Sequence, residues 1–534
     1  MQMFVKRPCV QEKVYHTRSW HVLNRDKNNS TMRRSISETE HSDSDLSSGA
    51  TTESNSSDCE QDRHHSSRTP LDPNAKRDNV MLPRPWASSG GWMCFLMPLA
   101  LASRFLNAPP CQEQVHLHLM LTVTATGMCV ETLCFFVYFF ADTSILAKCI
   151  ISLLPGTFTT IGFGLCLGTS WLFAVVAGFL MMAGYQHFYV CMMRGFARCF
   201  TYGEASILFQ GLMLFVVSVV YRLYDLCSAD AKTLTDFDRL NLIMLNALMW
   251  LLILCLLVIV VPRLRGPIPF YLLMGLLILA ATCAPVTSPL PIVALLQFIF
   301  RDPKRLQIIG FYLVLVLLTG ATVTWQLRHS VQANTRVRKI FHLLIVLVFV
   351  PGVLFQCALL YLATGIALAS FVVLELVRLL QIPPFSDRLT EAFHSFRDEK
   401  DAGALALTPF CLLIGCSMPL WLTPCPCSKN DTLLLLSGIL AVGVGDTAAS
   451  VVGSKLGRNM WGNSSRSLEG TIAFVVSILL SVWLLEATGL LAMTQAKWFA
   501  TIFAAINSAL VEAFTDQVDN LVLPLVFYIL VGLA

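Results

Sequence analysis

Charge is scarce in this sequence. Only 13% of its 534 residues are Asp, Glu, Lys or Arg, about half the share of an ordinary soluble domain, which excludes a chain that spends most of its length in water. Hydrophobic residues take their place at 55%, and the mean hydropathy is +0.64. Apolar runs of roughly 17 to 25 residues recur from Trp92 to the last residue, each long enough to cross a hydrocarbon core of about 30 Å as a helix. A strong balance of one sign is also missing. The net charge of +4 is spread over loops, so nothing points to nucleic acid or to an acidic partner surface.

Other absences narrow the chemistry. No Gly-x-x-x-x-Gly-Lys-Ser/Thr string occurs, so a soluble-type nucleotide loop is not the means of binding phosphate. The start lacks the short apolar stretch and cleavage site of a signal peptide, which leaves targeting to the first membrane helix. Most of the eighteen cysteines sit singly inside apolar runs (Cys166, Cys255, Cys283, Cys357 and Cys411 among them), where a thiol behaves as a small hydrophobe. The tight pair, Cys425 and Cys427 around Pro426, has no accompanying His or second Cys pair to complete a zinc site.

Residues 1–85 differ from the rest. Ser, Thr, Asp, Glu and Arg dominate from Lys27 to Arg77, a composition that cannot bury enough surface to offset its ordering entropy and that predicts a disordered tail. Arg33, Arg34, Ser35 and Ser37 spell a basic-directed phosphorylation string, which serine-rich tails also produce by chance. From Trp92 onward membrane segments are predicted near 92–108, 116–140, 143–163, 165–184, 205–221, 241–262, 270–300 (one or two, broken around Pro285 to Pro291), 306–325, 340–356, 358–380, 404–423, 432–453, 471–490, 498–514 and 520–534. The expected fold class is all-α: a polytopic integral membrane protein with about 13 to 16 transmembrane helices behind a disordered N-terminal tail. Helices in 86–330 have no assigned role, and the strings that carry chemistry fall in 331–534.

Basic loops orient the C-terminal half. Loop 326–339 carries Arg328, Arg336, Arg338 and Lys339 without an acid, and 454–468 carries Lys455, Arg458 and Arg466 without an acid. Four segments separate them, so they share a side, and the basic-loop rule makes that side cytosolic. Loop 381–403 and the stretch Asp516 to Asn520 fall there too, whereas the turn 424–431, with Lys429 as its single basic residue, faces the other way.

The most informative string is Gly443-Val444-Gly445-Asp446-Thr447-Ala448-Ala449-Ser450, followed by Gly453, Gly457 and Ser465-Arg466-Ser467-Leu468-Glu469-Gly470-Thr471. An aspartate in so apolar a run costs at least about 2.5 kcal/mol at a helix centre, which marks Asp446 as a functional candidate. The small residues around it admit a phosphate chain or a metal. They equally admit a neighbouring helix, because small residues spaced about four apart form packing faces in membranes. Packing does not need a carboxylate. Asp446, Lys455, Arg458, Arg466 and Glu469 are the groups available to hold a metal and neutralise phosphate oxygens. Further on, Glu512, Asp516 and Asp519 are spaced four and three apart, on one face of a continuing helix. They suit a hard cation, although a solvated helix end would look the same. His342 is open between a base for a hydroxyl proton and an interfacial ring, and Glu375 with Arg378 reads as a mutual salt bridge.

These strings resemble the polyprenol kinase family, the dolichol kinases in particular. The resemblance rests on Leu440 to Ser454, on Ser467-Leu468-Glu469-Gly470-Thr471, on Leu510-Val511-Glu512-Ala513, and on Gln517-Val518-Asp519-Asn520-Leu521 with Leu523-Pro524-Leu525. Arg338-Lys339-Ile340-Phe341-His342, Asp398-Glu399-Lys400-Asp401 and Met418-Pro419-Leu420-Trp421-Leu422 fit as well. It covers roughly 335–534, whereas the earlier helices are similar only in kind. It implies transfer of the terminal phosphate of CTP to dolichol at the cytosolic face of the endoplasmic reticulum membrane, giving dolichyl phosphate for protein glycosylation, with a divalent cation, Mg2+ or Ca2+.

By that resemblance Gly443, Gly445, Lys455, Arg458, Arg466, Glu469, Gly470 and Asn520 bind CTP. Asp446, Asp519 and Glu512 are catalytic, Asp446 and Asp519 hold the metal, and Arg338, Lys339 and His342 are further candidates. Where the family usually shows two lysines, this chain has Ser465 and Arg466, so one positive charge survives as a guanidinium fork. A membrane cytidylyltransferase attaching CMP to a phospholipid would use the same parts. A transporter would share the helices and buried acids, but would place its site near the midplane. The implied partners are dolichol, CTP and membrane lipids.

Overall fold

A computed structural model describes residues 81–534 except 108–113, 142–143, 229–234, 288, 330–334, 399, 425, 428–430, 463–465 and 534. The tail over 1–80, the side chain of Arg338 and the position Ser465 lie outside the described residues.

The described chain is helical, with one isolated β-bridge between Met460 and Ser467. In order come α1 (Leu96–Asn107), α2 (Val115–Phe140), α3 (Ile145–Cys166), α4 (Trp171–Gly195), α5 (Tyr202–Ser228) and α6 (Asp236–Val260). They are followed by α7 (Pro267–Cys283), α8 (Pro291–Arg301), α9 (Pro303–Arg328), α10 (Thr335–Phe355), α11 (Cys357–Leu379), α12 (Ser386–Phe396) and α13 (Leu407–Leu422). The last part holds α14 (Thr432–Leu435), a π-helical stretch (Ile439–Asp446), α15 (Thr447–Leu456), α16 (Leu468–Ala487), α17 (Gln495–Phe514) and α18 (Asp519–Gly532). A helix satisfies its own backbone, which hydrocarbon demands. Helix starts are closed by side chains: Thr235, Ser467 and Thr494 accept the backbone N–H of Asp238, Gly470 and Lys497.

Among the described residues nine helices are long and apolar enough to cross a membrane, and six further apolar helices of 10–17 residues accompany them. The multi-pass, all-helical class is therefore as expected. The run 270–300 is two helices broken at 284–290, in line with the break expected around Pro285 to Pro291. Two details depart from the hydropathy reading: the charged loop 381–403 contains α12, and 432–453 is divided among α14, the π-helical stretch and α15.

Helix α18 forms the centre of the C-terminal bundle. It is buried along nearly its whole length, with Phe527 and Tyr528 fully enclosed, and it packs on α1, α13, α17 and the π-helical stretch. At Gly415 of α13 a Cβ would lie 2.0 Å from the Asn520 carbonyl oxygen, so no larger residue permits this crossing. Helices α3, α4, α7 and α9 instead expose Ile145, Leu172, Leu272 and Val316, the pattern of a surface facing lipid.

The two ends of the bundle differ. One gathers Arg84, Lys400, Asp516 and Asp519. The other carries an ion pair between Arg104 and Asp431 and a disulfide between Cys357 and Cys427, whose Cα atoms are 5.5 Å apart. Cys357 is thus a crosslink and not the packing thiol that its apolar surroundings suggested. The first residue of α11 and the turn after α13 meet at this end, although 70 residues separate the two cysteines. Residues 81–85, placed in the tail by composition, join the folded body, where Arg84 is buried.

Candidate active site

The charged end is built from four segments. The first is the start of α10, where Lys339 and His342 stand one turn apart. Lys339 Nζ lies 2.6 Å from Asp446 Oδ2, and His342 Nε2 lies 3.4 Å from the same oxygen. Asp446 closes the π-helical stretch, a widened turn of the kind often found at functional sites. His342 is buried rather than solvated. Its Nε2 also faces Asn520 Oδ1 at 3.3 Å. The amide of Asn520 is fixed by donation from Nδ2 to the Thr408 carbonyl, so both neighbours of Nε2 are acceptors and the ring proton belongs on Nε2. Nδ1 is buried without a hydrogen-bond partner.

The second half of the cluster surrounds Asp519, at the start of α18. Its Oδ2 accepts from Lys400 Nζ at 2.8 Å and from Arg466 at 3.2 Å, while Oδ1 is buried with no partner. The other arm of the Arg466 guanidinium reaches Glu512 of α17 at 3.3 Å. Burial pulls the Arg466 pKa down, but the carboxylates of Asp519 and Glu512, with Asp446 beyond them, outweigh it and raise the value above normal. Three cations therefore stand among three carboxylates, and Arg466 is within electrostatic reach of Asp446.

The structure brings together Lys339, His342, Asp446, Arg466, Glu512, Asp519 and Asn520. It places the other candidates elsewhere. A Cβ on Gly443 would meet Val346 Cγ2 at 2.4 Å, and one on Gly445 would meet the Phe474 ring at 2.8 Å, so both glycines lie against neighbouring helices. Lys455 and Arg458 are exposed. Glu469 accepts the backbone N–H groups of Arg458 and Asn459, and with the Trp461 N–H to Arg466 O bond it shapes the loop that carries Arg466. Gly470 sits against the Ala449 carbonyl, 3.0 Å from where its Cβ would be. Asp516 accepts two bonds from Ser88. Glu375 and Arg378 pair at 2.6 Å, and Arg378 also stacks on Phe393 of α12.

Lys400 was not among the expected site residues, although its string belongs to the resemblance. Its loop is held by Asp401, which accepts from the N–H groups of Asp398 and Thr408.

Among the described residues no group of three or more His, Cys, Asp or Glu side chains is arranged to hold a metal ion. A cation shared with a nucleotide needs less, because Mg2+ commonly takes one or two carboxylates together with substrate phosphates. The unpaired Asp519 Oδ1 suits that role.

Fold and site together define a multi-pass membrane protein with a cluster of paired acidic and basic side chains at one end of its helical bundle. The dolichol kinase family matches residues 115–460, and the chain belongs to that family. The match begins at α2, well before the region where the resemblance was evident. The chain is 32% identical over 354 residues to "Dolichol kinase" of Homo sapiens, covering 62% of this chain and 65% of that protein. To "Dolichol kinase EVAN" of Arabidopsis thaliana it is 35% identical over 250 residues, covering 46% and 43%. To "Dolichol kinase" of Saccharomyces cerevisiae it is 27% identical over 188 residues, covering 35% and 34%. Thus the matched region spans just under two thirds of the human relative's length. No solved structure matches.

Proposed function

We propose that this chain is a CTP-dependent dolichol kinase of the endoplasmic reticulum membrane, with its catalytic region in 331–534 and its site facing the cytosol. One observation carries the reading: Lys339, Lys400 and Arg466 meet Asp446, Glu512 and Asp519 at one end of a membrane bundle in a chain of this family. Phosphoryl transfer depends mainly on positioning and charge stabilisation, and this cluster offers both. The guanidinium of Arg466 and the ammonium groups of Lys339 and Lys400 neutralise phosphate oxygens of CTP. Asp519, through its unpaired Oδ1, and Asp446 are the carboxylates that would hold a divalent cation together with the phosphates, and such a cation would add to the neutralisation of charge on the transferred group.

His342 then has a defined task. Asp446 and Asn520 keep the ring proton on Nε2, which leaves the Nδ1 lone pair to take the hydroxyl proton of dolichol. The alcohol oxygen bonds to the terminal phosphorus, the bond from that phosphorus to the bridging oxygen breaks, and CDP leaves. The orientation draws support from the opposite end of the bundle. A disulfide there suits the oxidising lumen, which leaves the charged end on the cytosolic side together with the basic loops.

Purified protein incubated with CTP and dolichol tests the reading. Dolichyl phosphate with CDP is the expected product pair, whereas release of pyrophosphate would establish a cytidylyltransferase instead.

A further inference from the structure

Glu204 lies near the start of α5, inside a helix otherwise long and apolar enough to span, and none of its surface is exposed. Its Oε1 accepts from Arg84 at 2.6 Å and from the Val518 N–H at 2.8 Å, and its Oε2 accepts from the Thr201 N–H at 3.0 Å. Arg84 comes from the segment before α1. Its other bonds go to two backbone carbonyls, Lys400 O at 3.3 Å and Asp516 O at 3.2 Å.

Those two carbonyls belong to the turns that present Lys400 and Asp519, and Lys400 Nζ itself donates to Gln517 O at 2.7 Å. A second layer repeats the connection. Ser88 donates through N and Oγ to the Asp516 carboxylate at 2.6 and 2.7 Å, Gln517 donates back to Ser88 O at 3.0 Å, and Thr201 Oγ1 donates to Gln517 Oε1 at 2.5 Å.

We infer that Arg84 and Glu204 are positioning residues, an anchor in the N-terminal part of the chain that fixes Lys400 and Asp519 relative to each other. A buried ion pair adds little net stability over well-packed apolar side chains, so stability alone gives poor reason for charge here. What the pair does that apolar packing would not is tie two loops by their backbone groups, from sequence positions 316 and 314 residues away. It gives the helices before 331 a part in the reaction, since α5 supplies the carboxylate. The kinetic side of this inference rests on the kinase reading above.

The test uses the full chain in detergent or nanodiscs. Either single substitution leaves one buried group uncompensated and risks misfolding, so the main variant is Arg84→Met with Glu204→Gln together. Ser88→Ala is the milder companion. Hydrogen exchange over 397–406 and 515–521 is measured beside kcat and the KM values for CTP and dolichol. In the folded double variant both segments exchange faster, while 439–456, which carries Asp446, does not. Its kcat falls on the order of 10- to 100-fold, with the KM for dolichol within about twofold of the parent.

Ser88→Ala moves exchange and kcat in the same direction by less. Arg84→Lys restores only part of the rate, because one ammonium cannot span Glu204 and both carbonyls. Unchanged exchange in the two segments, or loosened segments with a parental kcat, would overturn the inference. A parent protein that does not phosphorylate dolichol from CTP would sink the kinase reading and the kinetic claim with it. The exchange result would still decide whether the anchor holds the two turns.

Discussion

Asp446→Asn tests the site most directly, because the change keeps shape and removes charge. In the parent protein one oxygen, Oδ2, serves both Lys339 at 2.6 Å and His342 at 3.4 Å. The amide can set its single oxygen where Oδ2 stood and still face both groups, but only as a weaker neutral acceptor, so Lys339 loses its counter-charge. Removing one partner of a buried pair costs roughly 3–5 kcal/mol. Lys339 keeps 17% of its side chain accessible, so water recovers part of this and about 2–3 kcal/mol remains. Expressed in the transition state, that is about 30- to 160-fold in turnover, before any loss of metal binding is added.

The assay follows phosphate from terminally labelled CTP into dolichol at saturating substrate, with thermal unfolding and limited proteolysis to show that the variant inserts and folds. Asp519→Asn is expected to lose activity comparably, and the double variant to be little worse than either, since groups acting as a unit are strongly non-additive. A folded Asp446→Asn protein with normal turnover would refute the mechanism and leave Asp446 as a packing residue among the glycines.

Arg466→Ala is expected chiefly to raise the KM for CTP, and Arg466→Lys to recover only part of it, because a single ammonium cannot reach Glu512 and Asp519 as the two guanidinium arms do; a full Lys rescue in steady-state kinetics would make the fork irrelevant. Removing residues 1–80 is expected to leave specific activity nearly intact, and loss of turnover in a truncated protein that inserts normally would give that tail an essential part. In sealed microsomes Cys357 and Cys427 are expected to react with an impermeant maleimide only after reduction and opening of the lumen. Labelling from the intact outer side would reverse the orientation. Asn463, in the basic stretch 454–468 that the sequence reading assigns to the cytosol, is expected to carry no glycan, and a glycan found there by mass spectrometry would do the same.

The sequence by itself determined the helical, multi-pass class, because run length against bilayer thickness and the need to satisfy backbone groups in hydrocarbon leave few options. It also singled out Asp446, Arg466, Glu512, Asp519 and Asn520, since charge inside apolar surroundings and short strings around it are local properties. The same reasoning, applied to α5, would have marked Glu204. Its partner was not legible, because Arg84 lies 120 residues earlier in a stretch whose composition reads as tail. Lys400 had the right string but no visible counterpart until α18 brought Asp519 beside it. The cysteine at 357 could be read only as apolar packing, since its crosslink depends on the start of α11 meeting the turn after α13. Gly443 and Gly445 could admit either phosphate or helix, and Val346 and Phe474 occupy those places. Such choices are made by which helix faces pack together, a matter of contacts between distant segments that local periodicity does not encode.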